Sequence, residues 1–161
     1  MAVSIRSLAR PNQKVWTGWP LSTIAAETLP GWEISLAFVG PERARMLNKK
    51  LRRKAYVPNV LSYVVGKKSG EIIICPSEAA KQAPDFKLST ANFQLLLFIH
   101  GLLHLKGWAH GGTMERREQA LLARYLLVRG ASSDSRIDIS HEAAHRHRNR
   151  HRDLPGKTGR R

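Results

Sequence analysis

Apolar positions along the chain repeat at two different periods, and the changes of period mark out its elements. Val3 to Leu8 and Trp32 to Val39 read as strands, the second with partial alternation, and Leu21 to Leu29 reads as a helix closed by Pro30 and Gly31. Gly40 and Pro41 open a second helix, because a proline at the first helical position loses nothing by lacking an N–H. This basic helix is expected from Pro41 to Arg53, with Ala44, Met46, Leu47 and Leu51 as its inner face. Tyr56 to Asn59 reads as a loop. Val60 to Val65 and Glu71 to Cys75 read as strands of a hairpin joined by a five-residue loop, Gly66 to Gly70, and a short helix follows from Ser77 to Gln82.

The most apolar helix comes late in the chain, N-capped by Ser89 or Thr90, running to about Leu105 and stopped by Gly107. A final amphipathic helix is expected from Met114 to Arg129. The fold class predicted is α/β of the layered α+β kind: a small mixed sheet packed by helices, with the apolar helix buried at the centre. Strand order is not legible in the pattern, and no internal repeat is present.

Composition narrows the picture. The chain has 161 residues, of which 42% are apolar, enough for one buried core but not for two. Residues 1 to 130 are expected to form one domain. From residue 131 the chain changes character, and residues 136 to 161 hold eight Lys+Arg, three acids and four His with almost no large apolar side chains after Ile139. Such a segment cannot bury enough surface to offset its ordering entropy, so 131–161 is predicted to be a disordered basic tail. The run from Phe93 to Leu105 is broken by Gln94, His100, Gly101 and His104 and falls short of the ~20 residues that span a bilayer, so no membrane role is expected. Residues 1 to 20 lack a signal-peptide pattern and the single Cys75 cannot form an intrachain disulfide, which together point to a reducing, cytoplasmic setting.

Net charge is +15, and its placement matters more than its size. Residues 43 to 68 contain nine Lys+Arg and no acid. A solvated cationic face is the bland explanation of any charge run, but the complete absence of acids here favours a polyanionic partner, a nucleic acid.

The chemistry concentrates between residues 100 and 110. His100 and His104 are four apart, so a helix sets both imidazoles on one face, about one turn apart. Gly107 ends that helix and allows the chain to fold back and bring His110 to the same point. Paired histidines at this spacing arise by chance, but a third just beyond a glycine-terminated helix points to metal. Three neutral imidazoles with one open position describe a catalytic rather than a structural Zn²⁺ site, with hydrolysis as the natural reaction class. The metalloprotease pattern His-Glu-x-x-His is excluded, because Gly101 stands where the glutamate belongs.

The string His100-Gly-x-Leu-His104-Leu-x-Gly-x-x-His110 closely resembles the signature of the YbeY family of bacterial endoribonucleases, also called rRNA maturation factors. The segment from Leu47 to Tyr63 is similar to that family's second motif, and Gly70-Glu71-Ile72 occupies the place of its Gly-Asp-Ile strand. The resemblance spans roughly residues 1 to 130 and is strongest from Leu47 to Gln119. It implies a single α/β domain, one zinc ion on His100, His104 and His110, and metal-dependent cleavage of single-stranded RNA in small-subunit rRNA maturation and ribosome quality control. Ribosomal or small-subunit components and an assembly GTPase are the partners it implies.

Arg52 falls on the family's functional arginine, a role suited to a guanidinium that holds a phosphate through two hydrogen bonds and stabilises charge developing during phosphodiester cleavage. Further substrate contacts are expected from Asn48, Lys49, Lys50, Arg53, Lys54 and Ser62, with structural roles the favoured alternative for Asn48 and Ser62. Four positions depart from the family pattern: Ala109 replaces an Asp and so removes a carboxylate that would orient an imidazole, Pro58 replaces a Thr, Glu71 an Asp, and Trp108 a Tyr. Glu115 and Glu118 are read first as charges near the start of the last helix, and second as acceptors for a ligand histidine. The alternative function is a non-catalytic rRNA-binding assembly factor in which the metal only braces the loop after residue 104.

Overall fold

The structure, a computed structural model, describes residues 3–7 and 18–128; the expected tail lies outside the described residues. Four strands, β1 (Val3–Ser7), β2 (Glu33–Phe38), β3 (Val60–Gly66) and β4 (Ser69–Ile74), form one mixed sheet in the order β1-β2-β4-β3. β1 and β4 both run parallel to β2, and only β3 is antiparallel, to β4. The helices are α1 (Leu21–Thr28), α2 (Pro41–Arg52), α3 (Pro76–Gln82), α4 (Thr90–Leu105) and α5 (Gly112–Val128), with a 3-10 turn at Ala83–Phe86.

Helices cover both faces of the sheet, and for this reason its central strands read as unbroken apolar runs rather than as clean alternation. Ile72 and Ile74 of β4 face α4 together with Ile34, Leu36 and Phe38 of β2. Ile73, between them, faces the other way with Ala37, Leu61 and Cys75, where α2 contributes Ala44 and Leu47. The central helix is α4, N-capped by Ser89, whose Oγ accepts from Asn92 N at 3.1 Å. From Phe93 to Leu105 every residue of α4 is buried except His100 and His104. Two glycines permit its close seat on β4. A Cβ on Gly101 would lie 3.1 Å from Ile72 side-chain atoms, and one on Gly70 would lie 2.6 Å from Leu105 Cδ1.

Three expectations are corrected. The inner face of α2 is narrower than predicted: Met46 is 66% exposed and Leu51 44%. Met46 lies about 200° round the helix from buried Ala44, and Leu51, although on the correct side, falls in the last turn among Lys49, Lys50 and Arg52. The hairpin turn is Lys67-Lys68 alone, with an irregular register between Val64 and Gly66, rather than a five-residue loop. Gly70 is a strand residue whose missing side chain makes room for Leu105 rather than a turn residue. Asn48, named as a substrate contact with a structural role the favoured alternative, is fully buried and takes the structural role: its Nδ2 donates to the Tyr56 carbonyl at 2.9 Å and ties the following loop to α2.

Candidate metal centre

The end of α4 is shaped by a local device. Gly107 adopts φ +94°, its N–H donates to the His104 carbonyl at 2.9 Å, and the Trp108 N–H donates to the Leu103 carbonyl at 3.1 Å. This is the Schellman arrangement, in which a left-handed residue reverses the chain and satisfies the last helical carbonyls. Trp108 then packs against the main core, and the reversal brings His110 back over the helix end. His110 has its ring centroid 5.1 Å from that of His100 and 4.5 Å from that of His104. The three candidate ligand atoms all lie within 4.8 Å of one another.

The second nitrogen of each helical imidazole is already engaged. His100 Nδ1 lies 2.5 Å from Glu118 Oε1 of α5, and His104 Nδ1 lies 3.0 Å from the Trp108 carbonyl oxygen. A carboxylate and a carbonyl can only accept, so each Nδ1 carries a proton and Nε2 is the atom each ring has left to offer a metal. Those two Nε2 atoms are 2.9 Å apart. Two such nitrogens come this close when they share a proton or a metal ion. Tetrahedral zinc with N ligands at about 2.0–2.1 Å would set them about 3.4 Å apart, within the span of this cluster. The residues therefore fit a metal ion.

Electrostatics keep His104 in the ligating form. Burial pushes its pKa below the ordinary imidazole value and the neighbouring His100 lowers it further, while the Trp108 carbonyl and Glu118 oppose the shift. The Arg52 guanidinium adds to the lowering, so its charge is felt at the histidine cluster from the end of α2. Arg52, Arg53, Lys49, Lys50 and Lys54 are all exposed. Ser62 lies half-buried on β3 opposite Ile72 in the ladder. Glu71 accepts from the Tyr63 hydroxyl across the β3–β4 pair; burial first and that carboxylate second raise Tyr63 to about 12.

Glu118 is the residue whose role the sequence reading ranked second. With Ala109 unable to orient an imidazole, Glu118 supplies a carboxylate to His100 from another helix. One signal was available: Met114, Leu121, Leu122 and Tyr125 form the buried stripe of α5, and Glu118 sits at i+4 within it. An acid on an inward stripe needs a partner.

The fold and site define a mixed α/β domain with a three-histidine candidate metal centre at the end of its central helix. Residues 9–127 match the family model described as "Endoribonuclease YbeY", and the chain belongs to that family. It is 30% identical over 141 residues to "Endoribonuclease YbeY" of Bordetella avium (strain 197N), covering 83% of this chain and 88% of that relative. It is likewise 30% identical over 132 residues to the protein of the same name from Aromatoleum aromaticum, covering 79% and 82%. The solution structure of a Thermotoga maritima protein has the same fold, with a TM-score of 0.59 at 20% identity over 83% of this chain and 97% of that one. Membership supports an RNA-processing role of this family's kind. Among the described residues no single helix is long and apolar enough to cross a membrane.

Proposed function

We propose that the chain is a zinc-dependent endoribonuclease specific for single-stranded RNA, acting in the cytoplasm in maturation of the small-subunit rRNA 3' end and in ribosome quality control. Its partners in this reading are rRNA, ribosomal or small-subunit components and an assembly GTPase. The observation that carries it is the convergence of three imidazole ligand atoms, on His100, His104 and His110, within 4.8 Å of one another. A zinc ion held by these three residues supplies Lewis acidity toward a phosphoryl oxygen and a nucleophile at neutral pH.

The chain's own groups do the rest. Glu118 and the Trp108 carbonyl hold the protons of His100 and His104 on Nδ1. Arg52 holds the scissile phosphate and stabilises its developing charge, and Lys49, Lys50, Arg53 and Lys54 attract the flanking backbone, a term that weakens with salt. The basic segment outside the described residues adds a further electrostatic arm.

The test is cleavage of an unstructured labelled RNA by the zinc-loaded full chain, with His104→Ala and Arg52→Ala purified in parallel. Cleavage by the wild type, its loss in His104→Ala and a fall of at least ~100-fold in Arg52→Ala, with RNA affinity largely retained, are expected. Equal rates for wild type and His104→Ala, both folded and RNA-binding, would remove the catalytic reading and leave an assembly factor that binds rRNA by charge.

A further inference from the structure

Beside the metal centre lies a cavity of about 300 Å³ that the proposed phosphate contacts do not explain. His100 and His110 form one wall, and the apolar floor is Phe93, Leu96, Leu97 and Met114. No Lys or Arg lines it, whereas Glu115 and Glu118 do. Away from the histidine wall the lining therefore favours an uncharged group with a large apolar face. At its rim the half-buried Phe86 ring is backed by Phe93, with centroids 4.7 Å apart.

The remaining wall carries an oriented pair of amides. Gln82 Nε2 donates to Glu78 Oε1 at 2.9 Å, and because a carboxylate only accepts, this fixes which way the Gln82 amide faces. Gln82 Oε1 therefore accepts from Asn59 Nδ2, at 2.7 Å, and the Asn59 amide is fixed in turn. That leaves Asn59 with Oδ1 as an acceptor and one further N–H as a donor on the same amide. Such a pair matches the hydrogen-bonding edges of nucleobases, which proteins read in unpaired strands by combining amide contacts with aromatic stacking.

We propose that this cavity is a nucleobase subsite, taking the base of the nucleotide next to the phosphate at the metal centre, with Phe86 as the stacking face and Asn59 as the edge reader. The assignment rests on the RNA-cleaving reading above. The sugar-phosphate backbone then runs over the cationic end of α2 while the base turns into the uncharged side of the site, which demands an unpaired strand.

The experiment is calorimetric titration of the zinc-loaded full chain with adenosine 5'-monophosphate, uridine 5'-monophosphate and ribose 5-phosphate, the last sharing the phosphate and sugar but lacking the base. At least one nucleotide is expected to bind roughly five-fold or more tightly than ribose 5-phosphate, the lower end of what one base–aromatic stack contributes. Phe86→Leu, which keeps apolar volume but removes the ring, and Asn59→Ala are each expected to shrink that advantage while leaving ribose 5-phosphate binding unchanged. No base-dependent advantage in the wild type, or an advantage unaltered in both variants, overturns the proposal. The RNA cleavage assay fails independently: cleavage without base-dependent binding removes this subsite alone, and base-dependent binding without cleavage removes the nuclease reading alone.

Discussion

Glu118 on α5 and His100 on α4, eighteen residues apart in the chain, meet at 2.5 Å between Oε1 and Nδ1. Both side chains are mostly buried, 13% and 23% exposed, so the contact is shielded from competing water. It holds a proton on His100 Nδ1 and leaves Nε2 facing His104, the arrangement a carboxylate behind an imidazole makes in metal sites.

Removing that carboxylate should loosen the metal without unfolding the chain. Glu118→Ala is expected to weaken zinc binding by about 10–100-fold, measured by competition with a chromophoric chelator, and Glu118→Gln, which keeps an accepting oxygen, by less. An unchanged zinc Kd in Glu118→Ala would mean that His100 is oriented by its packing alone.

The close seat of α4 on β4 makes a second prediction. A methyl group at Gly70 would meet Leu105 Cδ1 at 2.6 Å and Cδ2 at 2.9 Å, in a site where Leu105 is only 6% exposed. Gly70→Ala should therefore cost about 1–3 kcal/mol in urea denaturation. Combined with Leu105→Ala it should cost less than the two single changes together, because the smaller side chain vacates the colliding volume.

Arg53 ends α2 with φ 57°, the left-handed region that disfavours side chains with a Cβ. Its N–H still donates to the Lys49 carbonyl at 3.1 Å, so the cap geometry is formed despite the residue type. Arg53→Gly should raise stability by roughly 0.5–1 kcal/mol, seen as a higher urea midpoint, while weakening RNA binding by the loss of one charge. A lower midpoint would contradict this account of the cap.

Glu27 joins α1 to α5, accepting from Tyr125 Oη at 2.7 Å, Arg124 at 2.6 Å and Arg117 at 3.0 Å. The Tyr125 hydrogen bond, with Arg124 and Arg117 behind it and against the opposing effect of burial, holds its carboxyl below the ordinary value of 4.5. A carboxyl depressed in the folded state contributes stability that is complete above its unfolded value and is lost as pH falls through the folded one. The Tm difference between wild type and Glu27→Gln should thus be largest near neutral pH and shrink below 4.5 in thermal melts. A difference constant down to pH ~3 would assign the contribution to shape rather than charge.

Legibility in the sequence followed range along the chain. The spacing of His100 and His104, the glycine at 107 that reverses the backbone and the serine cap at 89 all act over a turn or two, and the structure realises them as local geometry. Helical and strand periods also sufficed for the elements themselves, because backbone hydrogen bonding repeats every few residues. The inner face of α2 was misjudged because the helix packs on the sheet through Ala44 and Leu47, while Asn48 beside them is turned to the Tyr56 carbonyl.

What the sequence by itself determined is therefore the histidine trio proposed as ligands, the helix that carries two of its members and the turn that returns the third. Tertiary structure alone decided that β4 enters between β2 and β3, that Gly70 serves packing rather than a turn, and that Glu118 stands behind His100. Each of these depends on which distant surface an element packs against. Its own residues limit that choice through their apolar stripe, but only the fit of side chains from both partners settles the rotation and depth of contact.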